Sequence, residues 1–286
     1  MWSVAGKTIL VTGATGGIGL ETSVALAKLG AAVILTGRDA RRLEAAVTTL
    51  RARAGAAAQP YLCDFSSQAS IRELAAAIRR DCPRLDGLVN NAGGVQKRRT
   101  LTVDGLETTF ATNHLGYFLL THLLRDLLVA SAPARIVNVA SIGHRRGTMD
   151  FDDLGFEHGY SIMRAYSRSK LANVLFTREL ARQLAGTGVT VNCVHPGSVA
   201  TNIWSGTPLW AKPIVALFLR PSFISPEAGG ATVVQLVASP ELEGVTGQYF
   251  ENQRPVAPSP LAQDDALARR LWAVSLTLVG EAAPHS

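Results

Sequence analysis

The chain has 286 residues, 47% of them hydrophobic and 17% charged, with a net charge of +6, a pI near 9.5 and a mean hydropathy of +0.17. That balance excludes a disordered chain and supplies one large core, and without a run of about 20 apolar residues it offers no helical membrane span. Three scattered cysteines, Cys63, Cys82 and Cys193, argue against a disulfide framework or a zinc site, and arginine and lysine spread without a basic tract argue against a nucleic-acid partner.

Short apolar runs alternate with longer helical patterns. "TILVT" (8–12) leads through a glycine-rich turn into a helical stretch ending near Leu29. With this run beginning at Lys7, no signal peptide is expected, and the cytoplasm is the expected compartment. "AAVILTG" (31–37) precedes "RDARRLEAAVTTLRARA", "QPYLCD" (59–64) precedes "SSQASIRELAAAIRRDC", and "LDGLVNNAG" (85–93) precedes a helical run near 103–130. "ARIVNVAS" (134–141) is followed by a loop and a helix from about Ala165 to Ala185, then by "VTVNCVHPG" (189–197). The alternation predicts one α/β domain over 1–286, a doubly wound Rossmann-type fold of about seven mainly parallel strands. The nearly continuous apolar strands fit a sheet covered by helices on both faces. After Gly197 the rhythm breaks; residues 198–225, with Trp204 and Trp210 around "IVALFL", are expected to form a substrate lid. A helix over 226–238, a last strand in "GQYFE" and an amphipathic helix in "DDALARRLWAVSLTLV" complete the chain.

"VTGATGGIGLE" joins the first strand to the first helix. Gly13, Gly17 and Gly19 let the backbone turn tightly and approach a pyrophosphate at the helix N-terminus, which makes Thr15 and Ile18 of the same turn candidate contacts. An NAD site usually has a carboxylate at the end of the second strand. Here "LTGRD" has Gly37 followed by Arg38, a cation suited to a 2′-phosphate, so NADP(H) is favoured over NAD(H). The plainer reading leaves Arg38 in solvent and Asp39 as a helix cap.

"GYSIMRAYSRSK" (159–170) holds two tyrosines, each four residues before a cation: Tyr160 with Arg164, and Tyr166 with Lys170. Their six-residue offset turns a helix by about 600°, so the two pairs cannot face one cleft. Tyr166 opens a sustained helical pattern, whereas Tyr160 lies among glycines. An ammonium beside a phenol also lowers its pKa from about 10 toward the range useful for proton transfer. Tyr166 and Lys170 are therefore the expected chemical pair.

The ordered set "TGATGGIG", "CDF", "NNAG", "TNHLG", "VNVAS", "YSRSK" and "HPG" resembles the short-chain dehydrogenase/reductase family over nearly the whole chain. "NHLGYFLLTHLL" and "SRSKLANVLFTRELARQL" are most similar to its retinol-dehydrogenase-like and WW-domain-oxidoreductase-like branch. The resemblance implies a carbonyl/alcohol oxidoreductase acting on a small molecule, and a homodimer or homotetramer through the helices after strands four and five. It makes Tyr166 the acid/base and Lys170 its partner and the ribose ligand. Ser141 holds the substrate carbonyl, and Asn113 holds a water relaying protons to Lys170. Asp64 and Phe65 contact the adenine side; Asn90, Ala92 and Gly93 line the cleft; Pro196, Gly197 and Thr201 flank the nicotinamide. The usual Ser-Ser pair of strand five is Ala140-Ser141 here. Rival functions are a same-fold isomerase or dehydratase, and a non-catalytic nucleotide-binding regulator, which a complete Asn113–Ser141–Tyr166–Lys170 set disfavours.

Two basic loops, "QKRRT" (96–100) and "GHRRG" (143–147), offer charge to an anionic substrate, while the apolar 204–219 segment favours a lipophilic one. His144 and His195 have no metal-ligand spacing and are expected to be structural, and no metal is predicted.

Overall fold

Each apolar run of the sequence becomes a strand of one sheet. A computed structural model describes residues 2–199 and 223–282. In chain order it has β1 (Thr8–Val11), α1 (Gly17–Lys28), β2 (Ala32–Gly37), α2 (Ala40–Ala54), β3 (Ala58–Leu62), α3 (Gln68–Asp81) and β4 (Gly87–Asn90). Then come α4 (Thr108–Phe110), a π-helical turn (Ala111–Leu115), α5 (Gly116–Ala130), β5 (Ala134–Val139), a 3₁₀ turn (Ile142–Arg146), α6 (Ile162–Gln183), β6 (Val189–His195) and β7 (Ser198–Val199). The last elements are β8 (Phe223–Ile224), α7 (Pro226–Ala238), β9 (Tyr249–Glu251), β10 (Arg254–Pro255) and α8 (Asp265–Leu278).

The sheet has eight strands in the order β10-β9-β6-β5-β4-β1-β2-β3, all parallel except for the antiparallel pair β9–β10. The eighth strand is the two-residue β10, too short to leave a periodic signal. The order reverses between β1 and β4, and a crevice opens there at the carboxyl ends of the strands, the place where such folds bind ligands.

Alternate side chains of each strand enter opposite cores. Leu10, Ile34, Leu88 and Ile136 face α3, α5, α6 and α8; Ile9, Val33, Val89 and Val137 face α1, α2 and α7. At about 25 cal/mol per Å² of apolar area, these two cores supply the main drive to fold. The helix expected from 103 begins at Thr108, because Leu101 and Glu107 form a β-bridge and the Glu107 carboxylate caps the N–H groups of Thr109 and Phe110. Arg135, buried in β5, donates through Nη1 to the carbonyls of Leu236, Val237 and Ser239 at the end of α7 and stacks on Trp2, which offsets part of the cost of burying the cation.

α8 lies across α5 and α6. Trp272 meets Phe118 edge-on at 4.8 Å and stacks on Phe176 at 5.9 Å, and Arg178 pairs with Asp265 at 2.8 Å. The three cysteines are free and buried. No helix among the described residues is long and apolar enough to cross a membrane. The expected lid, including Thr201, Trp204 and Trp210, falls almost wholly outside the described residues.

Candidate active site

One wall of the crevice is made of backbone. Gly13 has φ 63° and Gly17 φ 54°, conformations that a side chain disfavours. A Cβ on Gly19 would lie 2.5 Å from both Gly13 O and Asn91 Nδ2, and one on Gly13 would lie 2.7 Å from the Cα of Ala92. The turn is stitched to the end of β4: Asn91 Nδ2 donates to Thr12 O (2.9 Å) and Gly13 O (3.2 Å), while Thr12 Oγ1 accepts from the N–H groups of Asn91 (2.8 Å) and Ala92 (3.0 Å). α1 has no side-chain cap, so its first N–H groups face the crevice unclaimed by a side chain. A side-chain-free cradle before an uncapped helix N-terminus, with Ile18 in the first turn, fits a dinucleotide pyrophosphate.

Gly37, at the end of β2, has no room for a side chain, because a Cβ would sit 2.2 Å from Thr15 Cγ2. Thr15 therefore forms the floor beside the adenosine end of the crevice. Arg38 is exposed. Asp39 does cap α2, accepting from Arg42 N at 3.0 Å, so the one carboxylate of this stretch turns back on its own helix. Arg42 is a cation that sequence reading missed: its Nη2 lies 3.5 Å from where a Cβ of Gly16 would stand, over the glycine turn. The signal was available, because Arg38 and Arg42 stand four residues apart.

Two of the residues expected at the cofactor make hydrogen bonds within the protein. Asn90 is fully buried, and its Nδ2 donates to Thr121 Oγ1 (3.0 Å) and Asn138 Oδ1 (2.8 Å). Asp64, expected to contact adenine, accepts with Oδ1 from the N–H and hydroxyl of Ser66, at 2.9 and 2.7 Å, an Asx turn between β3 and α3. Phe65, next to it, is buried and would lie 2.7 Å from a Cβ of Gly116, packing β3's exit onto the start of α5. Gly93 is exposed, and its missing Cβ leaves 2.9 Å to Asn113 Oδ1. Pro196 is buried; Gly197, at φ 92°, lies where a Cβ would strike Ile224 at 2.3 Å.

The other wall is made of buried polar side chains. Ser141 follows β5, and its Oγ accepts from Gly143 N at 3.1 Å, capping the 3₁₀ turn. Tyr166 lies on the second turn of α6 beside Ser141: a Cβ on Gly143 would lie 3.4 Å from both Ser141 Oγ and the Tyr166 ring. One turn further, Lys170 is buried, with Nζ donating to Val139 O at 2.8 Å and lying 5.7 Å from the Tyr166 ring centre. Tyr160 is elsewhere: its hydroxyl donates to Gln96 O at 2.8 Å, tying the 93–100 loop to the segment before α6.

Burial raises the Tyr166 pKa above its ordinary value, partly offset by the Ser141 side chain. Burial also lowers the pKa of Lys170, to about 7.

Asn113 sits in the π-helical turn. Its Oδ1 accepts from Gly94 N (2.8 Å), and its Nδ2 donates to Gly94 O (2.9 Å) and Ser169 Oγ (3.0 Å). Its main-chain carbonyl accepts from Asn173 Nδ2 at 3.0 Å. Asn173 was missed, although three residues separate it from Lys170 on the same helix.

Both lone histidines are buried. His144 Nδ1 lies 2.7 Å from Ser141 O and must donate to it, so Nε2 accepts from Ser259 N at 3.1 Å. Burial lowers its pKa, which keeps this neutral tautomer. His195 is lowered to about 4, also by burial. No group of residues able to hold a metal ion occurs among the described residues.

The basic loops are partly committed to structure. Arg99 donates to Gly155 O (2.8 Å) and Arg145 to Ala257 O (3.2 Å). Ile142, Ile162 and Met163, neighbours in sequence of Ser141 and Tyr166, remain 38–49% exposed.

Residues 7–211 match the family described as short chain dehydrogenase. Human retinol dehydrogenase 14 is 45% identical over 291 residues, covering 96% of this chain and 87% of that protein. The human WW domain-containing oxidoreductase is 42% identical, covering 96% of this chain and 69% of its own length. Among solved structures, RhlG of Pseudomonas aeruginosa in complex with NADP superposes with a TM-score of 0.71 at 28% identity, covering 93% of this chain and 98% of that one.

Proposed function

The chain belongs to the short-chain dehydrogenase family, in the branch of the retinol dehydrogenases and the WW domain-containing oxidoreductase, and from that premise we propose that it is an NADP(H)-dependent oxidoreductase interconverting an aldehyde or ketone with its alcohol. The observation that carries this reading is the Ser141–Tyr166–Lys170 array at the carboxyl end of β5, opposite the glycine cradle.

When bound, the nicotinamide supplies the hydride that reaches the carbonyl carbon. Ser141 Oγ donates a hydrogen bond to the substrate oxygen and polarises it. Tyr166 donates its phenolic proton to that oxygen in the reducing direction and recovers it in the oxidising one. Its raised pKa keeps the phenol protonated at neutral pH, which favours reduction. Lys170 has donors to spare beyond Val139 O, and these hold the ribose hydroxyls and return the proton to Tyr166.

NADP(H) is favoured because Arg38 and Arg42 flank the adenosine end, while Asp39 is drawn into a helix cap. The exposed Ile142, Ile162 and Met163, with Arg99 and Arg145 bound to main-chain carbonyls, favour an apolar carbonyl compound over an anionic one. The retinol named in several relatives is an alcohol of that class.

The test is a titration of NADPH and NADH followed by nicotinamide fluorescence, then a screen of apolar aldehydes and ketones with product analysis. Tighter NADPH binding and alcohol formation are expected. Binding without turnover would favour a nucleotide-binding regulator, and an isomerised or dehydrated product the other same-fold chemistry.

A further inference from the structure

Lys170 is linked toward α8, near the end of the chain, by buried polar groups outside the Asn113–Ser141–Tyr166–Lys170 set. Asn173 Nδ2 donates to two carbonyls, Asn113 O at 3.0 Å and, more weakly, Val139 O at 3.4 Å. Val139 O is also the acceptor that fixes Lys170 Nζ at 2.8 Å. One amide group thus joins the π-helical turn of Asn113 to the end of β5 that holds the lysine. Asn173 Oδ1 and His114 Nδ1 have no close partner among the described residues, and they face each other. His114 Nε2 lies 3.0 Å from Ser275 Oγ on α8. With its Nδ1 proton toward Asn173, the ring would accept from the Ser275 hydroxyl and turn its one donor toward the amide oxygen. Asn173, His114 and Ser275 are each wholly buried, and Phe110 and Phe176 hold the imidazole at 5.1 and 6.0 Å between ring centres.

A group in such a place is either filler or a brace. A plain core would put an apolar side chain here, since a buried amide stabilises little beyond its own hydrogen bonds. The bonds made by Asn173 instead join the carbonyl of Asn113 to the Val139 carbonyl that accepts from Lys170.

We propose that Asn173, oriented by His114 and through it by Ser275, is a positioning residue that sets the place and proton affinity of Lys170 by holding the Asn113 and Val139 carbonyls together. The inference rests on the oxidoreductase reading above. It means that the proton route from Lys170 toward Asn113 runs past a protein amide that already occupies one lone pair of the Asn113 carbonyl.

The test compares Asn173→Leu with Asn173→Ala in the full chain with NADPH and an apolar aldehyde. Leucine keeps the four heavy atoms and the Cγ branch of asparagine, with bulkier groups, but cannot donate, whereas alanine leaves space for a water to bridge the two carbonyls. If Asn173 only fills space, activity follows stability and the leucine variant is the better enzyme. If Asn173 positions Lys170, the order inverts: kcat falls about 100-fold in Asn173→Leu and about 10-fold in Asn173→Ala, with KM and NADPH affinity within about 3-fold of the parent. The profile of kcat against pH should shift in both. An activity order that tracks thermal stability, or an unmoved pH profile, overturns the proposal. Where both variants fail to fold, Ser275→Ala decides it: the chain predicts a shifted pH profile from this distant residue, and an unchanged profile overturns it. A parent protein that binds neither NADPH nor NADH would overturn the oxidoreductase reading itself and this inference with it. A parent that turns over while its variants keep its profile would overturn only the inference.

Discussion

The two walls of the crevice are built by opposite means. The glycine wall works by leaving side chains out: Gly13, Gly19 and Gly37 have backbone or Thr15 where a Cβ would be, at 2.2–2.7 Å. The polar wall works by putting side chains in: Asn113, Ser141, Lys170, Asn173, His114 and His144 are all buried, and their hydrogen bonds cross between elements. The first wall can bind a cofactor but has no proton to give. The second can move a proton but offers no room for a pyrophosphate. The comparison predicts that damage to the glycine wall registers in affinity and damage to the polar wall in turnover.

The largest effect should come from Tyr166→Phe. It removes the only proposed proton donor while keeping the ring, and should lower kcat by about 10²–10⁴-fold with NADPH affinity nearly unchanged, read by steady-state kinetics beside the fluorescence titration. Next is Gly19→Val, which drives a branched side chain into Gly13 O and Asn91 Nδ2. At an overpacking cost of about 1–3 kcal/mol, borne mainly by the cradle, NADPH affinity should fall about 10- to 100-fold while circular dichroism keeps its α/β signature. If this variant lost turnover but kept affinity, the division between the walls would be wrong.

Lys170→Met should separate stability from chemistry. The lysine pKa falls from 10.5 to about 7 on folding, with burial as the cause. Between those values the unfolded chain binds more protons than the folded one, so stability rises with pH through this window, and below pH 7 the full cost of the buried cation remains. Removing the amine should therefore stabilise the unliganded protein by about 2–4 kcal/mol at pH 7 and by clearly less at pH 9.5, while abolishing turnover. Thermal unfolding of parent and variant at the two pH values measures the difference; an equal gain at both would show that Lys170 is charged in the fold without penalty. The smallest effect belongs to Arg38→Ser, which should reduce the preference for NADPH over NADH by about 10-fold, a change of roughly 1.4 kcal/mol. It sharpens the comparison, because Arg38 and Arg42 are the points at which the glycine wall uses charge.

The same contrast governs what could be read from the sequence. The glycine wall is local: a strand, a turn and a helix within a dozen residues, with the absence of Cβ as the whole signal. The strands and helices were legible for the same reason, and the antiparallel two-residue β10 was not, because a pairing that short leaves no period. The polar wall is assembled across distance. Asn113 and Asn173 are 60 residues apart, His144 and Ser259 115, His114 and Ser275 161. Tyr166 and Lys170 were visible as an i, i+4 pair, but the partners that fix them were not, because no local pattern says which buried histidine meets which serine. Asn90 was expected to line the cleft and Asp64 to contact adenine, both from family motifs. The sequence does not show that the Asn90 amide bonds Thr121 and Asn138, or that Asp64 Oδ1 closes an Asx turn on Ser66.

α8 adds a consequence for assembly. Its Trp272 fills the groove between Phe118 of α5 and Phe176 of α6, and its Asp265 engages Arg178. A second subunit approaching these two helices meets a competitor that is covalently attached and therefore always at high effective concentration. The helix also carries Ser275, one end of the polar chain to Lys170. Displacing it would thus uncover the α5–α6 face and cut that chain in a single event, so occupancy of that face and the proposed setting of Lys170 would be thermodynamically linked.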